Sequence, residues 1–303
     1  MSTIKEVYIM FNGQKVVARF NEGTKTWTAT TNAPAKSSWS QPDHVYKVEI
    51  HAVDAANNKA TMTSADPTYG NQLKIRVLEK SKPTATIVSP TQGSVLGASE
   101  QDIVLEMSDA GGSGLNETTV VFTVNGTSHA GDLTFSDHEG KRRATYHATG
   151  LNDGENTITF RVTDNDGNVS NLATTTFIVS TAAPSLTVNT PTDGLITNSS
   201  RLTVTGSTTP GSDAVTIADV KVNNASVKLS GDDTKTFSHE ITLTEGRNTI
   251  TVVSTDSIGK STTVTRNVTL DTKAPIITNV VAEATTVDSG GTIKITFKVT
   301  DAA

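Results

Sequence analysis

The chain has 303 residues, 35% hydrophobic and only 5% aromatic, with 25 basic against 31 acidic side chains and a formal charge of −6. This length allows two or three domains, and the sparse apolar content fits a row of small β-sandwiches with thin cores rather than one large enzyme body. The acidic balance, with no basic stripe, argues against nucleic acid, and the lack of cysteine excludes disulfides and thiolate metal sites.

The N-terminus, M-S-T-I-K-E-V-Y-I-M-F-N-G, passes almost at once into a strand pattern. It carries no basic segment followed by an apolar one, so the reading expects synthesis in the cytoplasm without a signal peptide. No apolar run approaches the length of a membrane span, so membrane insertion is not expected.

The first segment, 1–80, has a strand pattern ending at Asn12-Gly13 and a second, Y-K-V-E-I-H-A-V-D-A-A-N-N, from Tyr46 to Asn58. The second segment, 81–182, opens with P-T-A-T-I-V-S-P-T-Q-G at Pro83. Its strand candidates are Thr86–Ser89, Ile103–Ser108, Thr119–Val124, Leu133–Phe135, Arg143–Ala148, Thr157–Thr163 and Thr175–Val179. Val120, Phe122 and Val124 alternate toward a core, as do Ile158, Phe160 and Val162, while helical periodicity is absent. Seven short strands separated by turns predict a two-sheet sandwich. The third segment, 183–273, opens at Pro184 with P-S-L-T-V-N-T-P-T-D-G and repeats the plan with Val220, Val222, Ile250 and Val252.

An internal repeat fixes this reading. Leu151–Asp164, L-N-D-G-E-N-T-I-T-F-R-V-T-D, returns 92 residues later as Leu243–Asp256, L-T-E-G-R-N-T-I-T-V-V-S-T-D, with eight of fourteen positions identical. The Asn-Gly turn at 125–126 has counterparts at Asn223-Asn224 and Asn12-Gly13. Only 11 residues precede Asn12, so the first segment is expected to lack its opening two strands. The last segment, 274–303, opens at Pro275 and aligns T-I-K-I-T-F-K-V-T-D-A-A with D-I-V-L-E-M-S-D-A-G, which makes it the first two strands of a further, incomplete domain. Two strands do not stand alone. Either the polypeptide continues past Ala303, with Ser64–Leu73 patching the shortened first domain, or residues 275–303 of one copy complete the first domain of the next in head-to-tail association, or the chain ends in a frayed tail.

D-A-G-G-S-G-L-N-E-T-T-V-V-F-T-V-N-G from Asp109, with Gly154-Glu155-Asn156 and T-D-N-D-G-N-V-S, resembles the bacterial immunoglobulin-like domains. The resemblance covers the two middle segments well, the first in part and the last in its opening half. It implies an all-β fold, a tandem array of immunoglobulin-like or fibronectin type III-like β-sandwiches, of the kind found in surface adhesins, as spacers in secreted glycosidases and on tailed-phage virion proteins. It does not fix a ligand, since one sandwich carries many functions. The missing leader tilts the expectation toward a non-catalytic, tail-associated virion protein that provides spacing and weak host-surface binding. A surface adhesin or matrix protein, or non-catalytic modules of a glycosidase, are the alternatives. Expected partners are other virion or surface proteins through the first domain, and host-surface glycans.

Asp164-Asn165-Asp166-Gly167-Asn168 places carboxylates at alternate positions, as a calcium loop would. The sister turns, Asp256-Ser257-Ile258-Gly259-Lys260 and Asp54-Ala55-Ala56-Asn57-Asn58, lose the second acid, so a hairpin turn explains all three without a cofactor, with Asp164 and Asp166 as calcium candidates. Asp109 and Asp301 read as turn formers. Trp27, alternating with Ala29, reads as core; Trp39, in K-S-S-W-S-Q-P-D-H, reads as a core lid or as an interface anchor. Lys141-Arg142-Arg143, starting a strand after Glu139-Gly140, reads as a solvated turn. The six histidines show no metal-ligand spacing and no nucleophile motif appears, so catalysis is not expected.

Overall fold

The computed structural model describes residues 3–301. It is built almost wholly of β-strands, with only short 3-10 turns between them. Two compact units emerge, one comprising residues 1–94 and 100–177, the other 95–99 and 178–303.

In the first unit, β1 (Ile4–Phe11), β2 (Gln14–Val17), β3 (Arg19–Asn21), β4 (Thr26–Thr28), β5 (Tyr46–Asp54), β6 (Lys59–Met62) and β7 (Lys74–Ile75) come first. β2-β1-β5-β6 form one antiparallel sheet, β7 pairs with β5, and β3 and β4 form a separate two-stranded ribbon. The turn from β1 to β2 is Asn12-Gly13, both with positive φ (48° and 76°), as a tight hairpin requires. The core here is small. Phe11, Tyr46, Val48, Leu73 and Val77 bury together, with Ile9, Ile50 and Met62 packed against them. Leu73 comes from the 3-10 turn Gly70–Leu73, so the segment read as patching this domain does deliver a core residue. The segment at 37–38 is tied to the chain's exit: Ser38 donates its amide to the Val77 carbonyl (2.9 Å), and Ser38 Oγ accepts from the Val77 amide (3.2 Å).

Residues 84–179 then build a two-sheet sandwich from β8 (Thr84–Ser89), β9 (Val95–Leu96), β10 (Gln101–Ser108), β11 (Leu115–Val124), β12 (Thr127–Ser128), β13 (Thr134–His138), β14 (Lys141–Ala148), β15 (Gly154–Asp164) and β16 (Ala173–Val179). One sheet runs β13-β14-β10-β8, the other β12-β11-β15-β16-β9, with β9 parallel to β16. All seven predicted strands of this segment are present; β9 and β12, two residues each, carry too little pattern to be foreseen. The alternation decides the layers: Ile103, Leu105 and Met107 of β10 face Phe122, Phe160, Val162 and Phe177, all fully buried. Burying each such side chain contributes about 1.5–3 kcal/mol.

The second unit repeats the plan with β17 (Ser185–Thr190), β18 (Leu195–Thr197), β19 (Arg201–Thr209), β20 (Ile217–Val222), β21 (Ala225–Ser226), β22 (Leu229–Ser230), β23 (Lys235–Thr242), β24 (Gly246–Asp256) and β25 (Ser261–Leu270). Its sheets are β17-β19-β23-β22 and β18-β25-β24-β20-β21, with β18 parallel to β25. Val188, Val204, Val220, Val222, Phe237, Ile250, Val252 and Leu270 fill its core. A hairpin of β26 (Ile276–Ala282) and β27 (Ile295–Thr300) follows, with every residue of both strands exposed.

Comparing sheets explains the repeat. The order β2-β1-β5-β6 corresponds to β12-β11-β15-β16 and to β21-β20-β24-β25. No strand among the described residues of the first segment takes the places of β8 and β10. Trp27 corrects the sequence reading for the same reason: it lies on the β3–β4 ribbon opposite Phe20, 40% exposed, with ring centroids 5.0 Å apart. In the sandwich of β8–β16, by contrast, Tyr146 meets Phe122 edge-on at 5.5 Å across the layers.

Candidate cation site

The turn after β15 starts from a local rule: an aspartate whose carboxylate accepts the amides two and four residues ahead closes a tight loop. Asp164 Oδ1 accepts from Asp166 N (2.9 Å) and Asn168 N (2.8 Å), and Oδ2 accepts from Asn168 Nδ2 (2.8 Å). Asp54 makes the same set with Ala56 and Asn58, and Asp256 makes its two amide bonds with Ile258 and Lys260. Gly167, Gly259 and Asn57 supply the positive φ at the same place in each loop. The hairpin turn read from the sequence is therefore what these three aspartates build.

At Asp164 more is assembled. Glu79, two residues beyond the core residue Val77, turns inward and is only 9% exposed. Its amide donates to Asp166 Oδ2 (3.0 Å), its carbonyl accepts from Asn168 Nδ2 (3.2 Å), and its Oε1 accepts from Ser113 N (2.9 Å). The loop after β10 meets it from the other side. There Asp109 accepts from the amides of Gly111 (3.0 Å), Gly112 (3.2 Å) and Gly114 (2.7 Å). Asn165 joins the two loops, its amide donating to Gly114 O (2.9 Å) and its Nδ2 to Ser113 O (2.9 Å).

The result is a carboxylate cluster. One oxygen each from Glu79, Asp109 and Asp164 lies within 4.8 Å of the others, with Glu79 and Asp164 buried. Glu79 Oε2 and Asp166 Oδ1 are buried with no hydrogen-bond partner. Gly111 makes room for the first of these: a Cβ there would stand 0.9 Å from Glu79 Oε2. Among the described residues no lysine or arginine pairs with these four acids.

Of the predicted site residues, Asp164 and Asp166 thus lie together. Glu79, at the end of the first segment and not singled out in the sequence, and Asp109, read as a turn former, join them; the one sequence-level signal was the acid at 79 combined with a glycine pair after Asp109. Trp39 lies far along the chain, in the first segment, half-buried and stacked on His44 at 4.1 Å, with its amide bonded to Ser37 Oγ. Lys141-Arg142-Arg143 does start a strand, but its side chains are paired rather than solvated, which corrects the turn reading. These residues lie in β14, where Lys141 and Arg143 bind Glu106 (2.9 and 2.6 Å) and Arg142 binds Glu117 and Asp137. The two cations hold the Glu106 carboxyl down to about 2, Lys141 foremost.

Two stacked antiparallel sheets with a short parallel edge strand, made twice, define a chain of tandem immunoglobulin-like β-sandwiches. Residues 83–160 match the Bacterial Ig domain family, and residues 184–272 match the family described as glucodextranase, domain B. The chain is similar to Bacillopeptidase F of Bacillus subtilis (strain 168), 29% identical over 234 residues that make up 77% of this chain and 15% of that protein. It thus spans about a seventh of the length of the curated relative it matches. Similar solved structures include the fibronectin(III)-like modules of Clostridium thermocellum CbhA, with a TM-score of 0.35, 18% identity and coverage of 62% of this chain and 94% of that one. Another is SGBP-B of the Bacteroides ovatus mixed-linkage glucan utilization locus, in complex with a mixed-linkage heptasaccharide, with a TM-score of 0.23, 14% identity and coverage of 94% and 65%.

Proposed function

We propose that this chain is a non-catalytic spacer and display segment of a longer bacterial protein that works outside the cell or at its surface. The observation that carries this reading is the tandem immunoglobulin-like construction, with one sandwich in the Bacterial Ig family and the next in a module family named for a glucan-degrading enzyme. The similarity to a stretch of Bacillopeptidase F that is 15% of that protein supports the same view, a set of modules beside other parts. Among the described residues no helix is long and apolar enough to cross a membrane.

The chemistry of the exposed surface is consistent with it. The His147–Asp102 pair (2.7 Å) sits on solvent-facing positions of paired strands, and Lys15–Glu6, Lys141–Glu106 and Arg201–Glu240 likewise tie neighbouring strands at the surface. The tail-associated virion reading draws no support from these matches, and the module reading replaces it as the favoured one. Weak contacts to cell-surface or matrix glycans would add up through multiplicity when several copies are presented together. The test uses the purified chain with labelled casein and with α- and mixed-linkage glucans, then with insoluble polysaccharide and cell walls in a sedimentation assay. The expected result is no turnover, with weak, salt-tolerant co-sedimentation. Turnover that survives repurification and disappears on a point substitution would refute the proposal.

A further inference from the structure

We propose that Glu79, Asp109, Asp164 and Asp166 bind one calcium ion, which locks the segment joining the first core to the following sandwich. The turn alone does not require these residues. Asp54 and Asp256 close the same loop with a single acid each. What the turn after β15 adds is three further carboxylates, drawn from the linker, from the loop after β10 and from its own second position.

The third segment serves as an internal control. Thr84 pairs with Ser108 and Ser185 pairs with Thr209, which sets residue-by-residue correspondence at this end of the sheet. Ser180 then stands where Glu79 stands, and its hydroxyl bonds Ser212 Oγ at 2.8 Å. Pro210 stands for Asp109, Ile258 for Asp166 and Lys260 for Asn168. The hairpin survives all four changes. Asp256 keeps one unpartnered oxygen there, but stands without the other acids. The turn and the acid cluster are therefore separable, and only the second sandwich has both.

Electrostatics and geometry point to the ligand. Glu79 is nine-tenths buried with Oε2 unpartnered and aimed into the cluster, in a space that only a glycine at 111 leaves open. Asp166 offers a second unpartnered buried oxygen. Buried like charges this close repel, and amide donors offset that only in part. A divalent cation converts the repulsion into attraction. The donors are all oxygen, with no histidine and, in the whole chain, no cysteine, which selects a hard ion over zinc. Calcium accepts six to eight oxygens at flexible geometry, whereas magnesium demands a near-octahedral set and keeps its waters. Because Val77 belongs to the first core and Glu79 to the cluster, a single residue, Leu78, separates the two anchors.

The test is calcium titration of the full chain after chelator treatment, followed by calorimetry and by hydrogen exchange of the peptides covering 77–82, 109–115 and 163–169. One equivalent is expected, with an affinity in the range of about 10⁻⁴–10⁻³ M typical of extracellular modules. At a calcium concentration about 100-fold above the dissociation constant, exchange that requires release of the ion slows about 100-fold, and magnesium at the same concentration has a smaller effect. Glu79→Gln and Asp166→Asn keep the shape and the acceptor oxygens. Each is expected to weaken calcium binding at least tenfold. In chelator, Glu79→Gln should exchange no faster than the parent, since it relieves repulsion; in calcium it should exchange faster. Lack of heat and protection up to about 10 mM calcium, or a Glu79→Gln chain destabilised equally with and without the ion, would overturn the proposal. The second result would mark Glu79 as a hydrogen-bonding residue alone.

Discussion

Asn156 is the residue through which the sequence repeat becomes structure, and its removal has a calculable cost. It is fully buried. Its Oδ1 accepts from Asn125 Nδ2 (2.8 Å), and its Nδ2 donates to Asn152 O (2.8 Å) and Gly154 O (3.0 Å). Asn156→Ala removes three hydrogen bonds made by a fully buried amide to Asn125, Asn152 and Gly154, which are themselves exposed residues. At about 0.5–1.5 kcal/mol net for each of the three bonds, the loss comes to about 2–4 kcal/mol. The repeat supplies its own comparison. Asn248 holds the matching turn through Thr244 and Gly246 but is half-buried, so water replaces much of what Asn248→Ala removes, and about 0.5–1.5 kcal/mol is expected. A single melting curve is a poor measure in a chain of several cooperative units, and both tryptophans lie before residue 40, away from these sandwiches. Native-state hydrogen exchange resolves each sandwich. At 1.4 kcal/mol per tenfold, Asn156→Ala should speed the slowest amides of β11 and β15 by roughly 30- to 800-fold and leave β20 and β24 unchanged. Asn248→Ala should speed β20 and β24 by no more than about tenfold. An effect below tenfold in β11 and β15, or equal losses for the two variants, would refute the argument that burial of this amide sets its weight.

Gly206 in β19 has no room for a side chain: a Cβ would lie 2.2 Å from Thr187 O and 2.5 Å from Phe237 Cζ. Gly206→Ala should therefore cost at least the roughly 1–3 kcal/mol of an overpacked core and expose the third segment to limited proteolysis, while Gly131→Ala, which meets nothing within 4 Å, leaves the pattern unchanged. Glu106 titrates well below its usual 4.5 because Lys141 and Arg143 bind its charged form. A depressed carboxyl contributes stability that is fully present above 4.5 and is lost as pH falls toward about 2. Glu106→Gln should accordingly lose less protection in β10 and β14 than the parent across that interval, and equal pH dependence would remove Glu106 from the account. Trp27, on a ribbon with one face uncovered, should be dispensable: Trp27→Ala is expected to cost under about 1.5 kcal/mol, against 3–5 for a buried tryptophan, and to remove the more readily quenched part of the acrylamide-sensitive fluorescence.

Local periodicity accounts for what could be read in advance. Alternation along Val120–Val124 and Ile158–Val162 assigns faces because a strand places successive side chains on opposite sides, and the structure buries those residues. The Asp-led hairpins were legible for the same reason, since their bonds span two to four residues. Trp27 marks the limit. Alternation told which side of its strand it occupies, but not whether a second layer covers that side.

By itself, then, the sequence determined the all-β class, the two full sandwiches and the turns, all consequences of short-range pattern repeated at a fixed spacing. Only the tertiary structure decided that Glu79, Asp109 and Asp164 meet. They stand 30 and 55 residues apart, on a linker, an interstrand loop and a hairpin. Their approach depends on how two sheets stack and where the chain enters them, and no local rule of spacing encodes that.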